Sequence, residues 1–104
     1  MKKASIFENL TFHNERPVLK ALLETDFTKE VRLTFRAKQV LKEHKTAFPI
    51  IVEVVEGKID FRVNETIHLL EKGDLITLSA SVPHDLTAHE DSIVRLTVSK
   101  FNPA

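Results

Sequence analysis

The stretch PIIVEVVEGKIDFRV, residues 49–63, decides the fold. Its first half is dense in Ile and Val, which suit a pleated, half-buried surface. Its second half alternates: Ile59, Phe61 and Val63 stand on one side, Asp60 and Arg62 on the other. Side chains two apart share a face of a strand, so one side is dry and one wet. Between the halves, Glu56-Gly57-Lys58 makes a corner, where Gly can take a positive φ without a Cβ clash.

The same signals continue outward. Glu30–Arg36 puts Val31, Leu33 and Phe35 on a dry side and Arg32, Thr34 and Arg36 on a wet one. Thr66–Leu70, Leu75–Leu78, His84–Ala88 and Ile93–Val98 read as further strands, with a start at Gln39–Lys42. Lys72-Gly73-Asp74 and Asn64-Glu65 supply turns. Pro17–Thr25 has the Leu and Ala content of a helix, but Leu19, Ala21 and Leu23 alternate, and it is read as a strand. Many short strands at close spacing predict an all-β sandwich or barrel. The first few residues and the tail Asn102–Ala104 are expected to be frayed ends.

With 104 residues, one domain spanning 1–104 is expected. Fifteen basic side chains balance fifteen acidic ones, so nothing draws the chain to phosphate backbones or anionic lipid. Neither nucleic acid nor a membrane is an expected partner. The absence of cysteine excludes disulfides, thiolate metal sites and cysteine nucleophiles. Met1–Leu10 lacks the apolar run of a secretory signal, and no stretch reaches the roughly 20 apolar residues of a membrane span. A cytoplasmic location is the expectation.

Five histidines are the candidates for chemistry. His13, His68 and His89 read as surface residues, His68 on an exposed strand face and His89 in a solvated turn. His44 and His84 differ, because each sits at a strand end beside a turn, where side chains reach the mouth of a barrel. By parity Val52, Val54, Phe61 and Val63 line the interior, with Phe61 as an apolar pocket wall. Ser79, Ser81, His84 and Asp85 do not make a hydrolytic triad, since strand neighbours such as His84 and Asp85 point to opposite faces. Turn serines explain them better.

Lys42–Ala88 resembles the conserved barrel of the cupin superfamily, in its small single-domain form. Laid on the first cupin motif, the first His falls on His44 and the Gly on Gly57, while Thr46 takes the second His position and Ile50 the Glu position. On the second motif, Gly73 and His84 are retained, whereas Ser79, Ser81 and Ala88 replace Pro, Gly and Asn. Pro83-His84 is typical of small cupins. The motif-bearing core covers about 39–98, and the resemblance implies a double-stranded β-helix, or jelly-roll, barrel.

Cupins that hold iron, manganese, nickel, copper or zinc use three histidines and one glutamate. Two of those positions carry no such donor here, and Glu43 and Glu53 have the wrong parity to substitute. His44 and His84 with water would hold a divalent transition metal only weakly. The preferred expectation is a metal-free, small-molecule-binding pocket formed by His44, Thr46, Ile50, Val52, Phe61 and His84. The alternatives are a metal-dependent oxygenase or isomerase with a reduced two-histidine site, and a sealed structural barrel. Phe7, Leu10 and Phe12 need a partner surface, so a homodimer with this segment at or near the interface is expected.

Overall fold

The computed structural model describes residues 1–103, so Ala104 of the expected frayed tail lies outside the described residues. Among the described residues nine strands form: β1 (Val18–Glu24), β2 (Thr28–Phe35), β3 (Val40–His44), β4 (Ile50–Glu56), β5 (Lys58–Val63), β6 (Thr66–Glu71), β7 (Leu75–Leu78), β8 (His84–Ala88) and β9 (Ser92–Ser99). They build a five-stranded sheet in the order β1-β2-β9-β4-β7 and a four-stranded sheet in the order β3-β8-β5-β6. All pairings are antiparallel. Among the described residues no helix is long and apolar enough to cross a membrane.

Only β1–β2 and β5–β6 are consecutive strands that lie side by side. Every other connection passes from one sheet to the other, which is the double-stranded β-helix. The corner at Gly57 therefore joins strands that do not pair: β4 lies between β9 and β7, and β5 between β8 and β6. Gly57 takes φ +99°, and a Cβ there would collide with Ser92 Oγ and the Asp91 carbonyl. Only glycine passes so close to another backbone segment in that conformation.

The dry sides of the strands meet between the sheets. Leu33, Phe35, Val52, Val54, Ile59, Phe61, Leu86 and Val94 form one buried cluster. Burying such side chains stabilises the fold by roughly 1.5–3 kcal/mol each.

One strand face departs from its sequence reading. Arg32 and Thr34, expected on a wet side, are 2% and 1% exposed. Residues 6–11 of the N-terminal segment cover them. Arg32 Nη1 donates to the carbonyls of Ile6 (3.0 Å) and Glu8 (2.7 Å), and Nη2 to that of Asn9 (3.2 Å). Thr34 Oγ1 donates to the Thr11 carbonyl at 2.6 Å. Phe12 lies under the Arg36 guanidinium at 4.5 Å. Alternation correctly places Arg32 outside the barrel, but outside is not the same as wet when another segment crosses the face.

Candidate functional site

β3 and β8 are neighbours, and their register places His44 directly opposite His84. The ring centroids are 4.4 Å apart with planes tilted by 58°. On its far side His84 stacks on Phe61, at 5.4 Å and 18°. His84 is 3% exposed, whereas His44 is half-buried. The two imidazoles thus cap one end of the core, with Phe61, Leu86 and Leu41 in the next row of the same sheet.

Both rings are fixed in the same way. His44 Nδ1 lies 2.8 Å from the Lys42 carbonyl oxygen, and His84 Nδ1 lies 2.9 Å from that of Val82. A carbonyl oxygen can only accept, so each Nδ1 carries the proton. In the neutral ring each Nε2 is then a bare acceptor. Burial pushes the His84 pKa below its ordinary value of 6.5; the nearby His44 adds to this, while the Val82 carbonyl and Asp85 oppose it. The pair is therefore an acceptor for hydroxyl or ammonium donors, and it meets a carboxylate without a proton to offer.

The other predicted site residues lie deeper or are turned away. Ile50 and Val52 are 1% and 2% exposed, within the packed face of the five-stranded sheet, and Phe61 is completely buried. Thr46 directs its hydroxyl to the Phe48 carbonyl at 2.9 Å. Its own carbonyl accepts from Ser81 N at 2.7 Å, tying the loop after β3 to the loop before β8. Ser81 takes φ +65°, so the backbone still has the conformation that suits the glycine of the motif it replaces. His68 is exposed, as expected, and stands opposite Phe61 on the edge strand β6. His89 is paired rather than simply solvated, with Nε2 2.8 Å from Asp60 Oδ1. His13 Nδ1 accepts from Glu15 N at 3.0 Å.

A cleft of about 480 Å³ adjoins the pair, lined by Glu43, Arg62, Asn64, Glu65, Pro83, His84 and Asp85. Asp85 is Arg62's cross-strand partner, and its Oδ2 accepts from Nε at 2.8 Å and meets Nη2 at 2.6 Å. Sequence reasoning missed this cleft. Alternation along β5 and β8 places Arg62 and Asp85 outward, but only the register sets them opposite one another. Glu43, discounted as a metal ligand by parity, shares the cleft with His84.

A family model described as the AraC-like ligand binding domain matches residues 29–104. The chain belongs to that family. It is a cupin, as its resemblance to solved cupin structures also shows. An RmlC-like cupin protein from Desulfovibrio desulfuricans is 26% identical, with TM-score 0.87 over 95% of this chain and 96% of that one. A Klebsiella pneumoniae protein with a double-stranded β-helix domain shares the fold at 19% identity, with TM-score 0.85 over 100% of this chain and 94% of that one. KdgF from Halomonas shares it at 23% identity, with TM-score 0.74 over 81% and 78%. A comparison with curated proteins finds no match.

The residues of this cupin do not fit the four-donor metal set of its superfamily. Thr46 is occupied with a backbone carbonyl and Ile50 presents only hydrocarbon. Among the described residues no three His, Asp or Glu side chains come together as a metal-holding group. What remains is two oriented imidazoles, an aromatic floor and a polar rim.

Proposed function

We propose that this cupin is a binding module that takes a small molecule at the barrel mouth, against His44 and His84, and has no committed catalytic activity. The observation that carries this reading is the paired, carbonyl-anchored imidazoles, which leave both Nε2 atoms bare as acceptors. A ligand-binding family description supports it. The packed core beneath Phe61 supports a ligand seated at the mouth rather than deep between the sheets.

Native mass spectrometry with metal analysis of the purified protein tests the reading. The expected result is a small molecule carried or taken up by the wild type and lost in a His44→Ala/His84→Ala variant that keeps its circular dichroism. Equal retention by the variant would overturn it. Stoichiometric transition metal, lost in the variant, would instead favour the second reading, a metal-dependent cupin enzyme. That reading draws on the carbonyl anchors, since metal-ligating imidazoles are oriented in the same way.

The proposal includes a homodimer. Phe7 and Leu10 stay exposed on a segment that is itself held against the five-stranded sheet. Light scattering at micromolar concentration should give twice the chain mass, and a monomer mass would remove this part.

A further inference from the structure

The way the N-terminal segment is held points to how two copies of the chain join. Its polar contacts with the body run from side chains to main chain. Arg32 donates to the carbonyls of Ile6, Glu8 and Asn9, Thr34 to that of Thr11, and Gln39 Nε2 to that of His13 at 2.6 Å. Lys2 Nζ returns one bond, to the Glu24 carbonyl at 2.7 Å. Among the described residues no backbone–backbone hydrogen bond ties residues 1–13 to a strand. None of these residues is buried, although Arg32 and Thr34 beneath them are. The segment is a strap without a ladder, and Arg32 and Thr34 need its carbonyls as long as they stay out of water.

The face under the strap selects a row of main-chain carbonyls and one aromatic ring, that of Phe12 beneath Arg36. The strap of a second copy offers the identical set. An exchange therefore restores every bond that opening breaks.

The hinge favours that exchange. The strap runs along β2 in the same direction, with Ile6 and Asn9 at Arg32 and Thr11 at Thr34. It then folds back into β1 through only Asn14, Glu15, Arg16 and Pro17. One local bond closes this turn, from Glu15 N to His13 Nδ1 at 3.0 Å. Pro17 works against it, because the residue before a proline is pushed towards extended backbone. A short hinge that disfavours folding back invites a swap. Exposed apolar side chains flank it: Leu10 and Leu19 to either side in sequence, and Val40 next to the anchor Gln39.

We infer that two copies of this chain exchange residues 1–13, each strap lying on the other's β2 under Arg32 and Thr34. The hinge at 14–17 is extended in the dimer, and Leu10, Leu19 and Val40 of both copies pack beside the crossing. The exchange rests on the homodimer part of the proposed function and is independent of the ligand at the barrel mouth.

Light scattering first gives the mass of the native protein at micromolar concentration. Isotope-labelled and unlabelled full-length chains are then mixed in urea and refolded to that same mass. Isotope-filtered NOE spectra separate contacts between chains from contacts within one, read at Phe12 and Arg36, which lie 4.5 Å apart. The expected result is twice the chain mass with an interchain Phe12–Arg36 NOE. A dimer whose Phe12–Arg36 NOE is intrachain overturns the exchange and keeps the homodimer. A monomer overturns both. Four Gly/Ser residues inserted between Asn14 and Glu15 relax the hinge and should weaken dimerisation about tenfold or more, with the circular dichroism unchanged. A lengthened chain that dimerises as tightly as the wild type overturns the role given to the hinge.

Discussion

Arg32 and Arg62 both stand on the outward side of an interior strand, one in each sheet, and their fates are opposite. Arg32 is 2% exposed and spends its donors on three carbonyls of the chain's own N-terminal segment. Arg62 is exposed, and its carboxylate partner lines an open cleft with two further carboxylates. The first outer face is closed by the protein itself. The second leaves polar groups for something else to meet. The difference teaches that an outward charge on a β-sheet gains meaning from what crosses above it, which strand parity does not contain.

The largest expected effect sharpens that contrast. Arg32→Leu removes the donor from the carbonyls of Ile6, Glu8 and Asn9 and should cost about 2–4 kcal/mol in urea unfolding. Arg62→Leu in the same assay should cost clearly less, because its side chain is half in water. Equal costs would break the comparison.

A second, smaller effect concerns the mouth. The His84 pKa is lowered in the fold from 6.5, chiefly by burial. Above that ordinary value the ring is neutral in both states and stability is unaffected. As the pH falls below it, the unfolded chain takes the proton first, so the native state loses stability until the lowered value is passed. Unfolding followed between about pH 7 and pH 5 should show a shallower loss for His84→Gln than for wild type. An unchanged slope would mean the ring is as solvated folded as unfolded.

The smallest effects lie at two strained turns. Glu65 at φ +67° and Ser81 at φ +65° occupy backbone space that glycine enters freely. Glu65→Gly and Ser81→Gly should each raise the unfolding free energy by up to about 1 kcal/mol, less the added flexibility of the unfolded chain, read as a higher midpoint in urea.

Much of the fold was legible, because period-two alternation on β2 and β5 and the corner at Gly57 are local signals. The resemblance to the cupin motifs then brought His44 and His84 together, and their register agrees. What stayed hidden was non-local. The crossing from β4 to β5 looks like any strand-turn-strand run, although the two strands belong to different sheets. The burial of Arg32 depends on a segment more than twenty residues earlier, and the closure of Arg62 on Asp85 depends on a pairing between distant strands.

The repeated passage of the chain between its two sheets has a bearing on biogenesis. Contacts between distant segments form slowly, since the loops they close cost entropy before any packing rewards them. The imidazole pair belongs to that late class, as β3 must wait for β8 while the strands between them are laid into both layers. A chain interrupted during synthesis or by a protease before β8 cannot form the imidazole pair. The pair is in this sense a certificate of completed assembly.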